Sequence, residues 1–132
     1  MNPKERIEYV KYRLDSANNT FDAAKVLAEN GYWNSSVNRL YYSAFYAVNA
    51  LLVFYCIQTK SHSATKSQFS LHFIKSGKFE KKYGQLLSKL SDWRQKGDYD
   101  NIIDYDRDSV MPLFKPVEEM IKTIESHILK SL

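Results

Sequence analysis

Four polar and aromatic side chains near the middle of the chain have the spacing of a single helical face. They are Arg39, Tyr42, Tyr46 and Asn49. Their separations of three, four and three residues place them on one side of an α-helix. Because a guanidinium binds anions and phenol rings stack on nucleobases, this face is a candidate site for RNA or a nucleotide. The alternative is a polar seam that bonds to another helix or to a second subunit.

A second group of reactive side chains lies in the segment 94–99, where Arg94, Asp98 and Tyr99 occur within six residues. An arginine, a carboxylate and a phenol this close together form a polar site if another helix covers them. The alternative is helix capping, because Arg94 and Lys96 fall in the last turn of a predicted helix, where cations favour the helix dipole.

Lys60, His62 and Lys66 are weaker candidates for the same ligand, and a place in the capping turn of a helix is the alternative for His62. The three histidines lack both the i, i+4 spacing and the neighbouring cysteines of a zinc site, so we expect no metal. No glycine-rich phosphate-binding motif occurs, and we expect no cofactor.

The composition describes a single domain covering residues 1–132, of which 44% are hydrophobic and 26% charged. Only four Gly and three Pro are present, which favours a compact all-α domain over a β-sandwich. The net charge is +4. It is unevenly placed, because residues 60–96 carry nine basic and two acidic groups, whereas residues 97–108 carry five acidic groups and one basic group. A basic block of this kind is compatible with an anionic partner, although lysines that solvate helix surfaces would give the same pattern.

Apolar residues recur every three or four positions and predict five helices. The first predicted helix spans 3–29. The second is capped by Asn34, Ser35 or Ser36 and runs to about 57, and the third is capped by Ser61 or Ser63 and ended by Gly77. The fourth spans 80–96 and is stopped by Gly97, and the last starts between 108 and 115. Because Pro116 would be interior to that last helix, we expect a kink or a start near Lys115. Residues 97–109 are predicted to form a loop. Short connections predict an up-and-down bundle of four long helices and one shorter helix.

The second predicted helix has no charged residue between positions 39 and 60, which is the length of a membrane span. Its many tyrosines and amides favour a central helix of a bundle, and we expect no membrane association. The one cysteine, Cys56, is predicted to be a buried small side chain. Since one cysteine allows no internal disulfide and no signal peptide is evident at the start of the chain, we expect a cytoplasmic protein.

Four segments together resemble a known family. They are NRLYYSAFYAVNALL (38–52), TKSHSATKSQFSLHFIKSGKF (59–79), YGQLLSKL (83–90) and RQKGDYD (94–100). In order and spacing they are similar to the HEPN family of small helical bundles over about residues 5–130, and more narrowly to its short stand-alone bacterial and archaeal branch, whose fourth helix ends in an arginine followed by Asp-Tyr.

The resemblance implies an up-and-down bundle that forms a homodimer along its long helices. It also implies a partner with the nucleotidyltransferase fold, in a toxin–antitoxin or defence pair. Cleaving members of the family are metal-independent RNA endonucleases in which four to six residues separate an arginine from a following histidine. Here the corresponding window after Arg94 holds Tyr99, Asp100 and Asn101.

Three functional hypotheses follow, of which the last is an interaction subunit whose polar stripe packs at a protein interface and which has no small ligand. The first is a binding module for RNA or a nucleotide that lacks the usual ribonuclease motif, with ligand contacts from Arg39, Arg94 and the tyrosines. The second is an active ribonuclease with a rearranged site. In that case Arg94 stabilises charge and Asp98, Tyr99 or His62 carries protons, although an unperturbed tyrosine or aspartate titrates far from neutral pH.

Overall fold

The structure is a computed structural model that describes residues 1–99 and 103–132. In those residues it contains helices and no strands. The helices are α1 (Pro3–Glu29), α2 (Trp33–Phe54), α3 (His62–Phe69), α4 (Lys81–Tyr99) and α5 (Arg107–Lys130), and α3 continues into one π-helical turn at Ser70–Ile74. The predicted all-α bundle of four long helices and one shorter helix is therefore confirmed.

Contacts between helix ends establish the up-and-down arrangement of α1 and α2. The Ser36 hydroxyl near the start of α2 donates to the Ala24 carbonyl near the end of α1, over 2.9 Å. Arg6 near the start of α1 donates to the carbonyl of Phe54, the last residue of α2. Each helix thus begins beside the end of the other, which makes the pair antiparallel.

α2 forms the centre of the bundle and packs against the other four α-helices. Its buried apolar side chains include Leu40, Tyr41, Val48, Leu51 and Leu52, none more than 1% exposed. Each fully buried aliphatic side chain contributes roughly 1.5–3 kcal/mol to folding, so this helix supplies much of the core. No helix in the described part of the chain is long and apolar enough to cross a membrane.

Local capping explains where α1 and α3 begin. The Asn2 side chain accepts from the backbone N–H of Glu5, and the Glu5 carboxylate accepts from the backbone of Asn2, so the two form a capping box ahead of Pro3. Ser61 accepts from the backbone N–H of Ala64 and caps α3. The predicted bounds of α1 and one of the two predicted caps of α3 are thus confirmed.

The predicted ends of α2 are wrong. No side chain caps its first turn, because the Ser36 hydroxyl bonds to α1 and the Asn34 side chain bonds elsewhere. The helix ends at Phe54 rather than near residue 57, since Cys56 adopts a left-handed backbone conformation with φ 61°. Cys56 is exposed, which corrects the prediction that it is buried.

α4 and α5 also extend beyond their predicted bounds. α4 continues through Gly97 to Tyr99, so Gly97 does not stop it. α5 begins at Arg107 with Asp106 as its cap, and both Pro112 and Pro116 lie inside it. The cost of the backbone bonds that the two prolines cannot donate is offset because this helix buries seven apolar side chains. Of the predicted 97–109 loop, residues 100–102 lie outside the described residues, and Gly97 to Tyr99 are helical.

Candidate functional site

Arg94 lies at the centre of a polar and aromatic cluster, here called the junction, formed where α4 ends against α2 and α3. Its guanidinium carbon is 5.0 Å from the centroid of the Tyr41 ring and 5.6 Å from that of Tyr42. Only 11% of the side chain is exposed. Its Nε atom is buried and has no hydrogen-bond partner in residues 1–99 or 103–132. Arg94 is therefore positioned by two aromatic faces, with hydrogen-bonding capacity to spare.

Asp98, one helical turn after Arg94, faces the same arginine. Its Oδ2 atom lies 3.9 Å from Nη1 of Arg94 and accepts a hydrogen bond from Asn38 Nδ2 over 2.9 Å. The Oδ1 atom of Asn38 in turn accepts from Nε and Nη2 of Arg39, at 2.9 and 2.7 Å. The Asn38 amide thus connects the only carboxylate in these contacts to a second arginine. The Arg39 guanidinium also lies over the Tyr42 ring, 5.1 Å from its centroid.

His62, the first residue of α3, reaches the junction from the opposite side. Its Nδ1 atom lies 2.8 Å from the hydroxyl of Tyr41. The ring stacks on Phe45 with centroids 4.3 Å apart and meets the edge of Tyr42 at 5.7 Å. His62 does not cap α3, because Ser61 does so. The imidazole is instead held by one hydrogen bond and by contacts with the rings of Tyr41, Tyr42 and Phe45.

The electrostatics keep both members of the Tyr41–His62 pair neutral. Burial lowers the pKa of His62, and the nearby charges of Arg94 and Lys66 lower it further. Burial raises the pKa of Tyr41, although Arg94 acts in the opposite direction. The Tyr41 hydroxyl and Nδ1 of the neutral ring share one hydrogen bond, and the tautomer of the imidazole decides which of the two donates. In this form His62 is an imidazole beside a permanent cation.

Lys66 adds a further positive charge, one turn along α3 from His62. Its Nζ atom donates to the hydroxyl of Ser91 over 3.1 Å. Ser91 is buried on α4, three residues before Arg94. The α3–α4 contact therefore fixes the lysine beside the junction rather than leaving it free in solvent.

Asn34 holds together the backbone around the junction. Its Nδ2 atom donates to the carbonyls of Gly97 and Ile103, at 3.3 and 2.8 Å, and its Oδ1 atom accepts from the backbone N–H of Tyr105 at 2.9 Å. The Tyr105 ring stacks on Trp93, with centroids 4.9 Å apart and planes 10° from parallel. One amide on α2 thus ties the end of α4 to the segment before α5.

The structure brings together most of the residues predicted from the sequence. The junction contains Arg39, Tyr42, His62, Lys66, Arg94 and Asp98. Tyr46 lies one turn along α2, with its ring centroid 5.9 Å from that of Tyr42. Tyr99 is 76% exposed at the end of α4.

Asn49 and Lys60 lie apart from the junction, in a separate pocket of about 340 Å³ that is here called the second pocket. Arg6 and Tyr9 of α1 also line it. The Oδ1 atom of Asn49 is buried there and has no hydrogen-bond partner among the described residues. The predicted face of α2 therefore serves two places, the junction at one end and this pocket at the other.

Sequence reasoning missed three residues that organise the junction. The Tyr41 ring is buried in the core, but its hydroxyl bonds to His62. Asn34 is predicted only as a helix cap, and Asn38 is not identified from the sequence. The spacing of Asn34, Asn38 and Tyr41 by four and three residues places them on one helical face, and this signal could have found them.

The described residues contain no group of three or more His, Cys, Asp or Glu side chains arranged to hold a metal ion. The junction supplies guanidinium, ammonium, phenol, imidazole and carboxylate groups. Such groups bind a phosphate and move a proton near neutral pH.

Comparisons with known proteins agree on one family. A family model described as "HEPN domain" matches residues 10–127. A "UPF0332 protein" of Thermotoga maritima is 33% identical over 128 residues, which is 97% of this chain and 96% of that protein. Two proteins of Methanocaldococcus jannaschii are similar over shorter stretches. "Putative toxin MJ0605" is 32% identical over 73% of this chain and 72% of its own length, and "Putative toxin MJ0142" is 31% identical over 69% and 62%.

Proposed function

The chain belongs to the HEPN domain family, and from this membership we propose that it is a toxin-type module that binds RNA or a nucleotide at the junction. The observation that carries the proposal is the convergence of Arg94, Arg39 and Lys66 around two tyrosine rings and one imidazole. These groups come from three helices, so the fold itself assembles them.

The charge balance of the junction favours an anionic ligand. Among the described residues, its three cations Arg39, Lys66 and Arg94 are accompanied by one carboxylate, that of Asp98, which lies 3.9 Å from Arg94. A phosphate provides the missing negative charge, and its oxygens accept the paired hydrogen bonds of a guanidinium. The neighbouring aromatic rings suit the base of the same nucleotide.

Metal-independent RNA cleavage is the second candidate function, and His62 is the observation that favours it. The lowered pKa of this residue supplies a neutral imidazole near pH 7, the form that accepts a proton. In this reaction the base takes the proton of a ribose 2′-hydroxyl, the 2′-oxygen attacks the adjacent phosphorus, and the bond from phosphorus to the 5′-oxygen breaks. The 5′-oxygen takes a proton from water, and the imidazolium then returns its own proton to the solvent. Arg94 stabilises the charge on the phosphate oxygens. The products are a 2′,3′-cyclic phosphate and a 5′-hydroxyl end.

We further propose that the chain forms a homodimer and pairs with a nucleotidyltransferase-fold protein as a toxin–antitoxin or defence pair in the cytoplasm. The toxin names of two relatives support the toxin part of this proposal. Light scattering of the purified chain, at two salt concentrations and with and without the candidate partner, tests both assemblies. A monomeric mass throughout would contradict them.

Binding at the junction is tested by titrating a fluorescent 12-nucleotide single-stranded RNA, and separately AMP, into wild type and an Arg39→Ala/Arg94→Ala variant. We expect the variant to lose at least about tenfold in affinity for both, because each lost charge-assisted hydrogen bond is worth about 1.5–3 kcal/mol. A Lys11→Ala/Lys130→Ala variant removes the same charge at exposed positions on other helices and serves as the control. Equal loss in both variants, or absent binding in wild type, would remove the site.

Cleavage is tested by incubating the same RNA with protein in EDTA and analysing the ends of the products. If the second candidate is right, wild type produces cyclic phosphate ends, and both His62→Gln and Arg94→Ala abolish them. If wild type binds the RNA but does not cleave it, the cleavage function is wrong and only the binding function remains.

A further inference from the structure

A row of arginines and tyrosines continues from the junction along the face where α1 packs on α2. Its members, here called the Arg–Tyr stripe, are Arg6, Tyr9, Tyr12, Arg13 and Tyr46. The first four have the spacing of one side of α1, and Tyr46 faces them from α2. None of the five is fully buried.

Arg13 is the centre of the stripe. Its guanidinium carbon lies 5.3 Å from the centroid of Tyr9, 5.5 Å from that of Tyr12 and 5.0 Å from that of Tyr46. Its Nε atom donates to the Tyr9 hydroxyl over 3.0 Å. In the part of the chain that the structure describes, its two terminal nitrogens have no hydrogen-bond partner. Three rings thus position an arginine whose outer edge is free for a ligand.

The stripe is continuous with the junction and with the second pocket. The ring centroids of Tyr46 and Tyr42 are 5.9 Å apart, and Tyr42 lies beneath both Arg39 and Arg94. At the other end, Arg6 and Tyr9 line the 340 Å³ pocket that contains the unpartnered Oδ1 atom of Asn49. From Arg39 to Phe54, beside Arg6, the distance along α2 is about 22 Å at 1.5 Å per residue.

The arginines of this face are not held in ion pairs. Among the described residues, none of Arg6, Arg13 and Arg39 forms an ion pair, whereas lysines on α4 and α5 pair with Glu80, Asp92, Glu118 and Glu119. Each of the three arginines lies over an aromatic ring instead. A guanidinium row without carboxylates attracts a chain of phosphates.

We propose that the Arg–Tyr stripe is a track for single-stranded RNA, which rests on the proposed function and specifies its ligand as an oligonucleotide rather than a mononucleotide. Phosphates contact Arg39 and Arg13, and unpaired bases stack on the exposed ring of Tyr12 and on the half-buried ring of Tyr46. The strand ends in the second pocket, where the Asn49 oxygen accepts from an exocyclic base amine. Stacking on ring faces requires unpaired bases, so the ligand is single-stranded.

A second copy of this chain is the other possible occupant of the face, and the charges disfavour it. In a two-fold dimer the same patch meets itself. The arginines of the stripe would then approach one another across the two-fold axis. An RNA backbone has the complementary charge.

The test compares Arg13→Gln/Tyr12→Ala with wild type, using AMP, a 12-nucleotide single-stranded RNA and a 12-base-pair RNA duplex as probes. We expect unchanged AMP affinity, because the junction is intact, and about tenfold weaker binding of the 12-mer. Wild type should prefer the single strand to the duplex. The slope of log affinity against log salt should fall by about 0.7, the share of one phosphate. Lys11→Gln, on the opposite side of α1, should change neither quantity.

The outcomes separate this proposal from the function on which it rests. If Arg39→Ala/Arg94→Ala weakens the 12-mer but the stripe variant does not, the site at the junction stands and the track is wrong. If wild type binds no RNA, both the track and the proposed RNA binding at the junction are wrong. If the stripe variant changes the mass measured by light scattering and leaves RNA affinity unchanged, the face is a protein interface and the track is overturned. Circular dichroism and thermal melting confirm that each variant is folded.

Discussion

Arg94 and His62 come from different helices and contact the same two tyrosine rings. The arginine lies over Tyr41 and Tyr42, and the histidine bonds to the Tyr41 hydroxyl and touches the edge of Tyr42. The histidine precedes the arginine in the chain, so a search for a histidine shortly after Arg94 could not find it. The fold nevertheless places an imidazole beside the arginine.

Replacing Tyr41 with Phe should lower the free energy of unfolding by about 1 kcal/mol, because one hydrogen bond with His62 is lost while the buried ring is kept. The measurement is urea unfolding followed by circular dichroism. Tyr46→Phe is the matched control, since its hydroxyl has no hydrogen bond among the described residues. Identical unfolding midpoints for the two variants would show that the Tyr41–His62 bond contributes nothing.

Stability should fall on mild acidification because of two histidines. Burial lowers the pKa of both His62 and His127 in the folded chain, so below an unfolded value of about 6.5 the unfolded chain binds more protons. Their contribution is complete above that pH and is lost as the pH falls toward the folded values.

This pH dependence can be measured by urea unfolding at several pH values between 5 and 7.5, with the two imidazoles titrated by NMR. A His62→Gln/His127→Gln variant should show a flatter dependence over that window. The lowered pKa values of the Asp106 and Glu119 carboxyl groups act at lower pH and do not interfere. Imidazole titration at or above pH 6.5 in the folded chain would contradict the prediction.

Asn34→Ala should destabilise the chain by about 2 kcal/mol, since it removes the three hydrogen bonds that the Asn34 side chain forms with the Gly97 and Ile103 carbonyls and the Tyr105 backbone N–H. Hydrogen exchange of the Tyr105 amide should become faster. Asn30→Ala, which removes one exposed bond inside its own helix, is the control and should change stability by less than about 1 kcal/mol. Unchanged exchange at Tyr105 would show that Asn34 does not hold this segment.

Local signals predicted the parts of the fold that depend on neighbouring residues. Asn2 and Pro3 mark the start of α1 in the sequence, and Asn30-Gly31 marks its end. Gly31 adopts a positive φ of 77°, the conformation by which glycine ends a helix. The start of α5 could not be found this way, because the proline rule describes backbone bonds alone. The burial of Val110, Leu113 and Val117 outweighs those bonds and depends on the helices against which α5 packs.

The residues of the candidate site also divide into those that local sequence patterns identify and those that only the packing of the helices brings in. Helical spacing correctly grouped Arg39 with Tyr42, and the short segment 94–99 identified Arg94 and Asp98. Lys66 and His62 join them only because α3 folds back across α2 and α4, a packing that no local pattern encodes. The role of Asn34 likewise depends on two backbone segments more than 60 residues away.

Two helical glycines of α4 should respond oppositely to alanine. Alanine in a helix is favoured over glycine by roughly 1 kcal/mol, so the change in helix propensity alone would stabilise each variant by that amount. At Gly84 a new Cβ would lie 3.3 Å from Cγ1 of Ile74, an aliphatic side chain that can rotate away, and we expect Gly84→Ala to be neutral or stabilising by up to about 1 kcal/mol.

At Gly97 the new Cβ would lie 3.1 Å from Cε2 of Tyr105. That ring cannot retreat, because it is stacked on Trp93 and its hydroxyl donates to the Trp93 carbonyl over 3.0 Å. The overlap must therefore move the backbone near the junction, at a cost of about 1–3 kcal/mol that exceeds the helix gain. Thermal unfolding of the two variants beside wild type measures the difference. A Gly97→Ala variant as stable as Gly84→Ala would show that Tyr105 is free to move and that the segment before α5 does not brace the end of α4.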